Sequence, residues 1–137
     1  MLSYRHAFHA GNHADVFKHL VLSLLVRALL HKDKPFFCLD THAGAGRYAL
    51  GSAMALKNRE YETGISRLWN AADAPEAVRE YLAAVRITNP GRDLRRYPGS
   101  PRIVRAFLRA GDRMSLCERH PGEFGGKQPG IAGVPFA

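Results

Sequence analysis

Asp40-Thr41-His42-Ala43-Gly44-Ala45-Gly46 is the segment of this chain whose residue types and spacing best suit chemistry. The four residues before it, Phe36-Phe37-Cys38-Leu39, form a short apolar run leading into an acid, the pattern of a buried parallel strand. A strand, an acid and then Gly-x-Gly is what a nucleotide-like cofactor site requires. Glycines let the backbone approach a ligand closely, and a helix N-terminus beyond them offers unpaired N–H donors. The plain alternative is a tight strand-to-helix turn without a ligand. A second acid, Glu118, closes another strand-like run, Arg113 to Glu118, where its carboxylate can accept both hydroxyls of a ribose. The interval between the two acids far exceeds the roughly 20 residues usual for such a pair. A helical insertion over residues 52–97 must therefore separate them. Taken alone, Glu118 reads equally well as a surface carboxylate.

His6, His9, His13 and His19 crowd the N-terminus. Imidazoles are common metal ligands, but no cysteine or carboxylate cluster joins these four at a compact spacing, so no metal site is expected. The favoured reading is a polar arm in which Tyr4, Arg5 and the imidazoles stack on bases or contact phosphates; the other is a solvated terminus. Arg86, Arg92, Arg95, Arg96, Arg102, Arg105, Arg109 and Arg113 surround Tyr97, a combination that suits RNA or simply a solvated face. Lys and Arg outnumber Asp and Glu by 20 to 12, a net charge of +8, which predicts a polyanionic partner or an acidic membrane surface.

At 137 residues and 46% hydrophobic content the chain can build one domain with a core, and 23% charged residues argue against wholesale disorder. Leu20 to Leu30 is interrupted by Ser23 and Arg27, short of the roughly 18 apolar residues of a membrane span. Polar residues also occupy the place of a secretory signal. Cys38 and Cys117 are the two cysteines, expected as buried thiols in a reducing, cytoplasmic setting.

The elements that must position these groups follow from periodicity. A helix is expected over Asn12 to His31, capped by Asn12 or Asp15, with Phe17, Leu20, Val21, Leu24, Ala28 and Leu29 forming its apolar stripe. His19, Ser23, Arg27 and His31 share the opposite, polar face. Tyr48 to Leu56 is expected to begin the helix after the glycine loop. Glu60 to Asn89 carries two further helical patterns, separated by Asp73-Ala74-Pro75. Ser100 is expected to cap a helix that Pro101 opens and that runs to about Arg109. From Pro121 to Ala137, eight of seventeen residues are Gly or Pro, which reads as an irregular tail. The expected division is 1–51 (arm, first helix, first strand and loop), 52–97 (insert), 98–120 (return to the core) and 121–137 (tail).

Three segments together resemble a known family: Met1-Leu-Ser-Tyr-Arg-His-Ala-Phe-His-Ala-Gly-Asn-His-Ala-Asp15, Leu39-Asp-Thr-His-Ala-Gly-Ala-Gly-Arg-Tyr48 and Tyr97-Pro-Gly-Ser-Pro101. They are similar to the bacterial 23S ribosomal RNA adenine-N6 methyltransferases, the large-subunit methyltransferase J family, over roughly residues 1–124. The resemblance implies an α/β, Rossmann-like, S-adenosylmethionine-dependent methyltransferase fold. This chain would hold its N-terminal part, with a helical subdomain inserted after the first strand and the later strands missing. The implied reaction transfers a methyl group from S-adenosylmethionine to the N6 amino group of an adenine, number 2030, in 23S ribosomal RNA. By the same resemblance, His19, His42, Ser100 and Glu118 match residues that contact the cofactor, with Lys18 beside them. Tyr4 matches the residue that touches the substrate RNA, and Arg5 and the arginine-rich insert supply further RNA contacts.

The family's Asp-Pro-Pro-Tyr motif has no counterpart here. Its aspartate engages the adenine amino group and its aromatic holds a flipped base, so no catalytic residue is assigned. The Gly/Pro tail after Phe124 is then expected of a truncated or frame-shifted product. A second reading is a non-catalytic basic RNA-binding fragment. A dinucleotide-dependent oxidoreductase fits less well, because Gly-x-Gly-x-x-Gly is not matched. In such a fold the Cys38 strand is central, yet one of its edges has no expected partner in this sequence. The chain produced alone is therefore expected to be poorly soluble or to dimerise; a sharp, reversible two-state melt of a monomer would overturn this.

Overall fold

A parallel pair of strands, β1 (Phe37–Asp40) and β4 (Arg113–Cys117), organises the chain, with Cys38 opposite Met114 and Asp40 opposite Leu116. The computed structural model describes residues 5–118 and the backbone of Ile131–Gly133. That last segment is β5, antiparallel to β4, so the sheet order is β1-β4-β5. The stretch expected as an irregular tail thus supplies a short strand. The remaining tail residues and Tyr4 lie outside the described residues. Among the described residues, no helix is long and apolar enough to cross a membrane.

Two helices cover one side of this sheet: α1 (His13–Leu30) and α5 (Ser100–Arg105). Val26 of α1, Val104 of α5 and Met114 of β4 meet in a buried cluster, with Cys38, Leu116 and Phe107 packed against it. Because successive strand residues alternate sides, Phe37 and Leu39 point the other way, and they are 60% and 54% exposed.

α1 is capped as expected: the Asn12 side chain accepts a hydrogen bond from the Asp15 amide at 2.9 Å. Its orientation is the reverse of an ordinary amphipathic helix. Asp15, His19, Ser23 and Val26 are its buried residues, whereas Phe17 and Leu25 are 71% and 60% exposed. Burying polar groups is tolerable only when each finds a partner, and here each does. Ser23 donates to the His19 carbonyl at 2.8 Å, and the partners of Asp15 and His19 are described below.

The glycine loop leads into a strand rather than a helix. β2 (Arg47–Ala49) pairs antiparallel with β3 (Arg96–Pro98), Tyr48 opposite Tyr97, and only then does α2 (Ala53–Asn58) begin, capped by Ser52. This two-stranded neck brackets the insert, which holds α2, α3 (Ile65–Leu68) and α4 (Glu76–Ile87). Asn89 fastens the neck: its side-chain oxygen accepts from the amides of Arg95 and Arg96, and its Nδ2 donates to the carbonyls of Val85 and Arg96. The insert has no core of its own. Ile65, Trp69, Tyr81, Leu82 and Val85 join Ala10, Tyr48, Tyr97 and Ile103 in one buried cluster.

Gly11 and Gly64 hold the N-terminal segment against the insert. The Ile65 amide donates to the Gly11 carbonyl at 2.9 Å, and a Cβ on Gly64 would lie 2.1 Å from that same oxygen. Since the clash is with backbone, the two segments must separate to accommodate it. Gly64→Ala is expected to cost about 3 kcal/mol of stability, measured by urea denaturation; a change below about 0.5 kcal/mol would refute this contact.

Candidate functional site

The ends of β1 and β4 are where the acids, the glycines and Ser100 converge. Asp40, the last residue of β1, spends both carboxylate oxygens. Oδ1 accepts from the His42 amide at 3.0 Å and Oδ2 from the Ser100 hydroxyl at 2.6 Å. At the end of β4, Glu118 Oε2 accepts from the Gly44 amide at 2.7 Å, and the Ala43 amide donates to the Cys117 carbonyl at 2.9 Å. The loop is thus fastened to both strands. Gly44 and Gly46 adopt φ of 61° and 70°, left-handed values that glycine takes without a Cβ penalty. The Gly46 carbonyl then accepts from the Gly99 amide at 3.0 Å, tying the loop to the start of α5.

His42, Ser100 and Glu118, far apart in sequence, therefore surround one loop. Ser100 was expected as a helix cap. Instead Gly99 takes the cap position, and Ser100 is the first helical residue, its hydroxyl turned to Asp40. His42 is exposed, with Nδ1 2.9 Å from the Thr41 hydroxyl.

His19 reaches the same region from beneath. It is 1% exposed, and its Nδ1 lies 2.8 Å from the Tyr97 hydroxyl, which in turn is 2.9 Å from the Tyr81 hydroxyl. The imidazole also stacks on the Tyr97 ring, with centroids 5.6 Å apart. Burial pushes its pKa down to about 4, against a smaller upward pull from Asp15 and Asp40. Asp15 lies one turn back. Burial alone would raise its pKa, but hydrogen bonds from His6 Nε2, Lys18 Nζ and the Gly11 amide outweigh burial and hold the carboxyl well below the usual range.

Several side chains offered to RNA by the sequence are used internally. His6 pairs with Asp15 at 2.8 Å and His9 with Glu60 at 2.9 Å, while Asn12 also donates to Glu60. The N-terminal segment from Arg5 is therefore a docked arm. Tyr97 is fully buried and unavailable for base stacking. Arg86 covers the Trp69 ring and donates to its carbonyl; Arg109 pairs with Asp112 and donates to the carbonyls of Lys32 and Lys34. Arg92, Arg95, Arg96, Arg102, Arg105 and Arg113 remain on the surface. Cys38 and Cys117 are half-buried free thiols, and burial raises the Cys38 pKa. The sequence reading passed over Asp40 as a ligand of the loop, and over Tyr81 and Tyr97 as partners of His19. The four-residue spacing of Asp15, His19 and Ser23 was the available signal for a buried polar stripe.

The depressed His19 pKa sets a pH dependence. The folded chain holds this imidazole neutral down to about pH 4, whereas an unfolded histidine takes up its proton near 6.5. Stability is then present above 6.5 and lost on acidification, by roughly 1.4 kcal/mol per pH unit for one proton between those values. Asp15, with its pKa held low, adds a further loss only below its ordinary value of 3.8. Urea titrations between pH 4 and 7 are expected to show this slope in the native chain and a flatter one in His19→Gln; equal slopes would refute it.

Comparison with known proteins identifies the kinship of this arrangement. The family described as "Ribosomal RNA large subunit methyltransferase D, RlmJ" matches residues 33–125. "Ribosomal RNA large subunit methyltransferase J" of Escherichia coli is 54% identical over 124 residues, 90% of this chain and 44% of that protein. The Haemophilus influenzae protein of the same name is 50% identical over 125 residues, again 90% and 44%. A solved crystal structure, protein LPL1258 of Legionella pneumophila assigned to DUF519, is similar at a TM-score of 0.77 and 40% identity, over 88% of this chain and 47% of that one. This chain thus spans less than half the length of the relatives it matches. A match over most of its residues, with the same α/β fold in a solved relative, places the chain in the RlmJ family of ribosomal RNA large-subunit methyltransferases.

Proposed function

We propose that this chain carries the S-adenosylmethionine-binding half of a Rossmann-like, cytoplasmic 23S ribosomal RNA adenine-N6 methyltransferase. In this reading His42, Ser100, Glu118 and, from below, His19 line the cofactor pocket. Lys18 stands beside it, and Tyr4 and Arg5 face the RNA. The observation that carries the reading is the pair of strand-end carboxylates, Asp40 and Glu118, gripping one glycine loop. In open α/β sheets, ligands bind outside the carboxyl ends of the strands, where this loop lies.

The donor set favours that cofactor over a dinucleotide. A pyrophosphate needs a helix N-terminus after the glycines, and here the glycines lead into β2. Two carboxylates beside the loop repel phosphate, but they suit hydroxyls and a cationic sulfonium. Glu118 is placed to accept from a ribose, and Ser100 and Asp40 form a polar wall on the opposite side of the loop. S-adenosylmethionine, when bound, supplies the activated methyl group. This chain's residues orient the nucleoside and hold the loop open in a fixed shape. The residues that engage the adenine amino group belong to the Asp-Pro-Pro-Tyr motif, which this sequence lacks. An RNA-binding fragment without cofactor is the second reading, favoured by the net charge of +8.

Titration calorimetry with S-adenosylmethionine or its demethylated product tests the first reading, on this chain and on a version extended with the rest of a relative's sequence. Glu118→Gln is expected to weaken binding by about 10-fold to 100-fold, the worth of a charge-assisted hydrogen bond, and His42→Ala to weaken it as well. No heat with the extended protein, or undiminished affinity in both variants, would refute the pocket. RNA binding that falls steeply with salt and ignores the cofactor would favour the second reading.

A further inference from the structure

The outer side of α1 carries Phe17, Val21, Leu24, Leu25 and Leu29, which are between 40% and 71% exposed. They recur at helical steps of three and four, making one apolar stripe about 18 Å long. On the sheet, Phe37 and Leu39 occupy the side opposite α1 and α5, and both are more than half exposed. Among the described residues, no strand pairs with the outer edge of β1. A parallel pair of strands is ordinarily covered on both sides, and contiguous exposed apolar surface of this kind marks an interface.

We infer that the outer face of α1, the open edge of β1 and the uncovered side of β1 form one docking surface. Its occupant is the part of the family's polypeptide that lies beyond the stretch this chain matches. That segment would add a strand to β1 and lay apolar helix faces on Phe37, Leu39 and the α1 stripe. The occupant follows from length and likeness. The two curated relatives each match this chain over only 44% of their length, and the solved relative shares the fold over 47% of its own. A second copy fits poorly: it would bring together two chains of net charge +8, and pairing through β1 would leave the side bearing Phe37 and Leu39 bare. Self-association of the lone chain is the unspecific consequence of the same surface. The inference rests on family membership and on exposure rather than on the cofactor reading, so a chain that docks the segment yet binds no S-adenosylmethionine leaves it standing.

The test co-produces this chain with an affinity-tagged polypeptide comprising the region of the Escherichia coli relative that follows its matched residues. Size-exclusion chromatography with light scattering is expected to show a soluble 1:1 complex. Val21→Glu with Leu25→Glu should reduce capture at least tenfold, while circular dichroism shows the chain's helix content retained. No capture, capture unaffected by the double substitution, or a discrete homodimer that persists beside the segment would overturn the inference. A covalent fusion of residues 1–124 to the same segment provides a second measurement. Leu25→Glu should lower its melting temperature by at least about 5 °C while leaving the lone chain's unchanged or raised. Equal shifts in both would overturn the inference too.

Discussion

The Tyr97 hydroxyl, bonded to His19 on one side and to Tyr81 on the other, is the interaction from which much of this structure follows. It joins α1, α4 and β3 inside the core, where an unpartnered hydroxyl or imidazole costs about 1–3 kcal/mol. Each group satisfies its neighbour, so a histidine can sit 1% exposed without charge. Asp15, one turn earlier on α1, meets the same demand with His6, Lys18 and the Gly11 amide. The inward side of α1 is therefore polar and complete. The Phe17 and Leu25 side must then face outward.

A second constraint acts where β1 and β4 end. Both strands finish in a carboxylate, and each carboxylate accepts from a loop amide: Asp40 from His42, Glu118 from Gly44. Asp40 holds Ser100 as well, so the loop, the sheet and the start of α5 form one hydrogen-bonded unit. A loop whose backbone is set by the scaffold need not be ordered by its ligand, which lowers the entropic cost of binding. That economy explains why acids occur at both strand ends, 78 residues apart in sequence.

How legible was this in the sequence? Local signals read correctly: the apolar run into Asp40, the glycine loop, the Asn12 cap, the strand before Glu118 and the meeting of Glu118 with the loop. The failures share a cause. Arg47–Ala49 becomes a strand only because Arg96–Pro98 lies beside it, and no local pattern in three residues announces so distant a partner. Ser100-Pro101 has the chemistry of a helix start, yet its hydroxyl is drawn to Asp40, 60 residues away, leaving the cap to Gly99. Periodicity showed that α1 has two unlike sides but not which one is buried. That choice depends on Tyr97, a residue the sequence placed among solvent-facing arginines.

The same long-range bonds change what the N-terminal histidines mean. His6 and His9, four and nine positions before Asn12's helix is fully under way in a naive reading, look like a loose basic tail. In the structure one is held by Asp15 and the other by Glu60, and the Asn12 cap is anchored to Glu60 as well. Arg5, exposed at the start of this arm, and Lys18, bound to Asp15 beside His19, thus project from backbone that the core has already fixed. An arm ordered in this way loses less conformational freedom when a nucleic acid is bound than a disordered one does. Its contacts would therefore contribute orientation rather than charge alone, which is what placing one adenine beside one methyl donor requires.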